Sequence, residues 1–354
     1  MPDWTAGMQQ TFEYYEVDPT SWKDMRRLTT ITNSSINRDA EAETLATASI
    51  DATEEFGEMY IRIYLKTIQN GIKESTSLGT FLIQTPNDKF DGAVHTFSYD
   101  AYSPLLELKD NPPPLGYFIP KGTNVMEIAS TLCEENCRAP VTKADSAVTL
   151  VEDFVAEESE TWLSFLSDLI ALADYEFALG DYGEILFMPM VESRSLQPRA
   201  IYNDDNSSIL YPDAEMKRDL YGIPNAVEVV YTNSYDTPAY IKVVNDDPNS
   251  PTSTVSRGRE IIHRDTSPST NGKPTDAEME EYANNLLSEL STLEYTITYR
   301  HGFNLSRLKE GVLLNYERAG YNNIKARIIS QSISCEPGCP VDETAVYTIN
   351  LWKG

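Results

Sequence analysis

Histidine is scarce in this 354-residue chain, and so is positive charge. The three histidines are His95, His263 and His301, and none sits in an HExxH pair or beside a GxSxG elbow. A hydrolase needs a base held against a nucleophile, and no spaced motif supplies one. GxxxxGK[ST] and GxGxxG loops are absent, so nucleotide chemistry has no visible phosphate cradle. Only 28 Lys and Arg stand against 55 Asp and Glu, a net charge of −27. That balance excludes a basic face gripping nucleic-acid phosphates. It suits a solvated surface, or one that nucleic acid slides past without sticking. No apolar run approaches the roughly 20 residues that span a bilayer. The amino-terminal stretch MPDWTAGMQQTFEYYEVD lacks the basic start and apolar core of a signal peptide, so folding in a cytoplasm is expected. Four cysteines are too few for a disulfide scaffold.

What is present is a folded, β-rich composition. The apolar fraction is 41%, with 21 tyrosines, which rules out a disordered chain. Residues 1–22 read as an arm carrying Trp4 and Trp22, either a strand or an ordered tail. Residues 23–111 hold five or six short strands: 26–33, 44–51, 59–68, 78–85 and 93–99. Asn70-Gly71 marks a hairpin turn. That spacing predicts a small antiparallel barrel or sandwich. Asn111-Pro112-Pro113-Pro114 continues neither ladder nor helix and reads as a stiff linker.

Residues 112–195 form a middle region. Asn124 with Glu127 has capping-box spacing, and Val125, Ile128, Ala129 and Leu132 line one helix face. Strands are expected near 148–151 and 153–156. Trp162, Phe165, Leu166, Leu169, Ile170 and Ala173 then fall at helical spacing. The period changes to two at Tyr175, Phe177 and Leu179, Gly180–Gly183 turns the chain, and Glu184 to Met188 returns as a second strand ended by Pro189. Residues 196–354 read as a second small β domain. The stretch 191–225 is irregular, and strands are expected at 226–232, 239–244, 294–300, 312–316, 324–334 and 345–352. Its helix, 276–293, is announced by Thr275 and Glu278. The fold class is α+β, mostly β.

The acidic pairs Asp204-Asp205 and Asp246-Asp247 lack calcium-loop spacing and read as loop tips. Arg257-Gly258-Arg259 is a basic island, solvated or facing an acidic partner. The cysteines form two CxxxC pairs, Cys133/Cys137 near a helix end and Cys335/Cys339 in a Pro-Gly turn. Four converging thiolates would hold zinc or an iron–sulfur cluster. Alternatively each pair is a set of small core hydrophobes, or a disulfide where the chain meets air.

The order of these pieces resembles the tail-hub (baseplate hub) proteins of tailed bacteriophages. GYFIPKGTNVMEIASTLCEEN is similar to the start of that family's middle region. TWLSFLSDLIALADYEFALGDYGEILFMP is similar to its helix and hairpin. TDAEMEEYANNLLSEL, NIKARIISQSIS and AVYTINLW are similar to its last helix and closing strands. The resemblance spans residues 25–352 as a pattern and carries no catalytic residue. It implies two tail-tube-like antiparallel β-barrels around a helix-and-hairpin middle domain. It also implies a structural homotrimer joining a sixfold tail tube (or distal tail protein) to a threefold spike or tail-tip protein. DNA would pass through an acidic lumen without specific binding. Some hubs of long-tailed phages hold an iron–sulfur cluster, which would suit Cys133, Cys137, Cys335 and Cys339. The implied location is the virion tail, assembled in the host bacterial cytoplasm. Rival expectations are the hub of a contractile injection or secretion device, and a peptidoglycan hydrolase of the tail tip. The length leaves no room for a fused lysozyme, peptidase or β-helical spike, so a separate spike is expected.

Overall fold

The computed structural model describes residues 2–191, 195–205, 209–232, 238–266 and 274–352. Seven strands open the chain: β1 (Gln9–Val17), β2 (Asp24–Leu28), β3 (Ile31–Asp39), β4 (Ala46–Ala52), β5 (Tyr60–Gln69), β6 (Ile72–Phe90) and β7 (His95–Tyr102). The arm is therefore largely a strand: β1 pairs antiparallel with β5 along its full length. The Asn70-Gly71 turn forms as expected, with φ of 52° and 79° at its two residues.

The middle region follows: α1 (Leu106–Asp110), β8 (Phe118–Ile119), α2 (Val125–Asn136), β9 (Val141–Thr142), β10 (Phe154–Val155), α3 (Trp162–Ala171), β11 (Tyr175–Leu179) and β12 (Ile185–Pro189). Asn124 caps α2 by accepting from the Glu127 N–H at 3.0 Å. Thr161 and Ser164 cap α3 reciprocally. The strand expected at 148–151 is reduced to one bridge, Asn124 to Thr149.

The rest of the chain holds β13 (Pro198–Asn203), β14 (Leu210–Lys217), β15 (Ala226–Tyr231), β16 (Ala239–Val244), α4 (Thr254–Arg257), β17 (Ile262–Asp265), α5 (Asp276–Leu290), β18 (Thr292–Gly302), β19 (Gly311–Tyr316), β20 (Tyr321–Ser334) and β21 (Pro340–Asn350). Residues 191–225, read as irregular, contain β13 and β14: their prolines sit where a ladder tolerates a missing N–H. Helix α5 starts at its expected box but stops at Leu290, three residues early, because Thr292 already belongs to β18.

The chain divides into two compact units, and it passes between them within strands. Residues 1–214 and 298–345 form the first, so the triple proline lies inside it. One thirteen-stranded sheet follows the order β14-β18-β21-β20-β3-β4-β7-β6-β5-β1-β2, with β19 branching from β20 and β13 pairing β19. Among the described residues this path is open, ending at β14 and β2. One core lies within the sheet strands, around Ile36, Ile61, Ile63, Leu78, Phe81 and Ile333. A second joins α1, α2, α3 and the β11–β12 hairpin to Val17, Trp22, Leu45, Tyr60 and Leu82 of the sheet region. The expected α3 stripe is its centre: Phe165, Leu166, Leu169 and Ile170 are fully buried. The helices thus share a core with the sheet rather than burying their stripe locally.

Residues 215–297 and 346–354 form the second unit. There β15 pairs antiparallel with β16 and parallel with β17. Met279, Ala283 and Leu287 of α5 cover Val227, Val229 and Tyr231.

Candidate functional site

The four cysteines do not form a shared site. Cys133 and Cys137 sit in the core around α2 and α3, while Cys335 and Cys339 sit in the sheet core. All four are free and buried. Among the described residues, no three His, Cys, Asp or Glu side chains gather as metal ligands. The Cys137 thiol donates to the Pro104 carbonyl at 3.4 Å. Burial pushes the Cys335 thiol up to about 11 and that of Cys137 to about 12, and raises Cys133 and Cys339 as well. A ligand or nucleophile needs the thiolate, and this packing opposes it.

The histidines are equally scattered. His95 is exposed and pairs with Asp88; His263 is exposed on β17. His301 is wholly buried. Its Nε2 lies 3.4 Å from Glu343 Oε2 and 3.4 Å from the Tyr202 hydroxyl. Tyr299 donates to the other Glu343 oxygen, and Gln331 Nε2 donates to Oε2 at 2.6 Å. Burial beside this carboxyl raises the Tyr299 hydroxyl well above its ordinary value. The sequence reading missed the cluster, because residues 202, 299, 301, 331 and 343 share no local spacing. A carboxyl at zero exposure with several hydrogen-bond partners is a satisfied polar core that fixes how β13, β18, β20 and β21 align.

Of the other residues singled out, Arg257, Gly258, Asp204 and Asp247 hold local backbone. Arg257 donates to the Ile223 and Leu220 carbonyls, both at 2.7 Å, and Gly258 ends α4 at φ 65°. Asp204 accepts from the Arg318 N–H at 3.0 Å, and Asp247 from that of Asn249 at 2.8 Å.

The most elaborate docking belongs to the β11–β12 turn. The Tyr182 carbonyl accepts from Trp22 Nε1 at 2.8 Å, Thr80 Oγ1 at 2.7 Å and Arg62 Nη2 at 3.3 Å. The Asp181 carbonyl accepts from Ser77 at 2.6 Å, and its carboxylate pairs with Arg307 at 2.5 Å. Arg62 also pairs with Asp24 at 2.7 Å and lies 5.2 Å from the Tyr182 ring. So close an approach needs Gly183: at φ 80°, a Cβ there would stand 2.8 Å from the Thr80 Cβ. The hairpin is also buried on two faces. Phe177, Ile185 and Phe187 pack towards the helices. Ala178, Leu186 and Met188 line a cavity of about 210 Å³ with Leu45, Leu78, Phe81, Leu308, Arg38, Arg307, Lys309, Asp181 and Glu310. Lys309 donates to the Phe177 carbonyl and to Glu176, both at 2.7 Å, from a backbone at φ 68°. Burial lowers the Lys309 amine and raises the Glu310 carboxyl. The arrangement is a keystone between sheet and helices, built to hold a shape.

No protein-family model and no curated protein matches the sequence. Solved structures do match the fold. A tail protein from Neisseria meningitidis MC58 aligns over 96% of this chain and 97% of its own, at 14% identity and a TM-score of 0.61. The 43 kDa tail protein of prophage MuSo2 from Shewanella oneidensis aligns over 96% and 98%, at 12% identity and a TM-score of 0.60. The expected resemblance to phage tail proteins is borne out at the level of fold: the chain folds, from end to end, as these tail proteins do.

Proposed function

We propose that this chain is a structural tail-hub protein of a phage-type virion tail, acting as a homotrimer without catalysis. The observation that carries the reading is the near-complete coverage of both chains in the match to the Neisseria tail protein. A partial match would point to one shared domain; this one spans the whole architecture. The net charge of −27 supports a ring whose lumen passes DNA without holding it. In this reading three chains, each with two barrel-like halves, join a sixfold tube to a threefold spike or tip. The sheet edges at β2 and β14 are completed on assembly. The cysteines serve as apolar core residues, and stoichiometric iron or zinc in anaerobically purified protein would restore the metal reading. No side chain is assigned a catalytic role, and clearing of cell walls by purified protein would overturn that. The same fold would serve a contractile injection device, and neighbouring genes for capsid and packaging proteins separate the two.

The decisive experiment is light scattering with electron-microscopy class averages of the pure chain. Threefold rings are expected. A strictly monomeric species at high concentration, alone and with its tube partner, would overturn the hub reading.

A further inference from the structure

Strands β8 and β10 pair across two residues each, Phe118 with Val155 and Ile119 with Phe154. Successive strand residues face opposite sides, so one pair points inward and the other outward. Ile119 is 2% exposed, and the Phe154 ring lies 5.0 Å from Phe165 of α3. The outward pair is apolar too: Phe118 and Val155 are 53% and 59% exposed. Leu115 and Val151, in the flanking bends, are 88% and 81% exposed. A sheet face turned to water is ordinarily polar, and single exposed apolar residues mean little; four around so short a pair mark a contact surface. Residues 115–122 and 148–158 add four acids, Glu152, Asp153, Glu157 and Glu158, against one base, Lys121. The surface is apolar with an acidic border.

The second unit carries the opposite character. Residues 218–223, which follow β14, are clamped to α4 by Arg257, whose guanidinium holds the Leu220 and Ile223 carbonyls. The Tyr221 N–H donates to Asp219 Oδ1 at 2.8 Å, and Gly222 takes the left-handed φ of 72° that turns the chain. Asn225, wholly buried, ties the end of this turn to the Thr252 and Arg259 carbonyls, both at 3.0 Å. The turn so held presents Tyr221 at 94% exposure, and α4 presents Val255 at 60%. At that exposure the Tyr221 ring adds almost nothing to its own unit's core. An aromatic on a fixed backbone is the usual anchor of an interface, because little freedom remains to be lost on binding. Residues 218–223 and 254–259 hold Arg218, Arg257 and Arg259 against Asp219, in a chain with 55 acids and 28 bases. The neighbouring Glu260 is paired with Lys242 at 2.7 Å.

We propose that the Tyr221 turn of one copy docks on the β8–β10 face of a second copy of this chain, with Tyr221 and Val255 covering Phe118 and Val155 while exposed Arg259 enters the acidic border. Both surfaces are exposed in the single chain, so the contact is not made within it. Copies that each carry −27 repel one another, and here opposite local charge meets matching apolar surface. Turn and face are different surfaces, so the contact is heterologous and repeats around a closed ring. The proposal rests on the ring reading above and names its contact.

The test places a photo-crosslinking phenylalanine analogue at position 221 of the full chain, mixes light and heavy-isotope copies, and sequences the linked peptides. Links between copies, from position 221 to residues 115–122 or 148–158, are expected. Tyr221→Asp and Phe118→Asp are each expected to raise the concentration for ring formation at least tenfold, with the thermal midpoint of the monomer unchanged. Mixed where each alone is monomeric, the two variants are expected to form 1:1 pairs that grow no further, since one sound contact is left between them. If Phe118→Asp lowers the midpoint, position 221 decides alone, through its links and through Tyr221→Asp. Rings that form normally with Tyr221→Asp overturn the contact and leave the hub reading standing. So do links from position 221 that fall elsewhere, within one copy or on a different tail protein, and well-folded variants that stay apart when mixed. A wild-type chain that never associates overturns both readings.

Discussion

Trp162 packs edge-on against Tyr117, with ring centroids 5.0 Å apart, and lies 5.8 Å from Phe165. It is 6% exposed, at the start of α3, where helix and sheet share one core. Trp162→Ala is expected to cost about 3–5 kcal/mol, because the helix cannot collapse into the void without losing its sheet contacts. Urea denaturation measures the loss; a cost under about 1 kcal/mol would show that the site relaxes freely. The cysteines give a second prediction. The folded chain holds the Cys335 thiol up to about 11, against an ordinary value of 9.0. Between those values the unfolded chain has released its proton while the folded chain keeps it. Stability from this burial is therefore fully present below about pH 9 and lost as pH rises through about 11. The urea midpoint is expected to be flat from pH 7 to 8.5 and to fall above it, more weakly in Cys335→Ala. Thiol reagent at neutral pH should label all four cysteines only after denaturation. Rapid labelling of native protein would contradict the buried placement.

At the scale of elements, the β11–β12 hairpin decides how the middle helices meet the sheet. Its turn carbonyls are held by side chains from β5, β6 and the segment before β2, and its inner face is sealed against α3. Gly183→Ala forces a Cβ against Thr80 and a left-handed backbone on alanine, so it is expected to destabilise by more than about 1 kcal/mol. A denaturation midpoint equal to wild type would show that the hairpin can lift away cheaply. The helix, the two strands and the Gly-Asp-Tyr-Gly turn were legible in the residues, because period and turn chemistry are local. The docking was not. Tyr182 gives no hint that its carbonyl takes three donors, all of them more than a hundred residues away in sequence. Strands β13 and β14 were hidden because their prolines read as loop, and only the neighbours they pair with make them strands.

For the whole molecule, fold and charge bear on assembly. Among the described residues the sheet path is open, the β6–β7 ribbon ends in exposed Phe90, and the total charge opposes self-association unless contacts are apolar or locally neutral. Association into rings is therefore expected to strengthen with salt, as like-charge repulsion is screened. Sedimentation at low and high ionic strength measures this; rings that dissociate in salt would indicate ion-pair contacts instead.

The amino-acid sequence by itself determined the local structure: strands and helices from their periods, caps at Asn124 and Thr275, turns at Asn70-Gly71 and Gly180–Gly183. It also carried the end-to-end order that the tail-protein fold shares, since element order is written linearly. Tertiary structure alone decided what lies beside what. It parted Cys133 and Cys137 from Cys335 and Cys339, although the two CxxxC pairs left a shared site open as one reading. It buried His301 against Glu343 and set the hairpin as a keystone. The physical reason is common to all three: spacing along a chain constrains neighbours within a few residues, whereas convergence across two hundred depends on how the sheet is laid down.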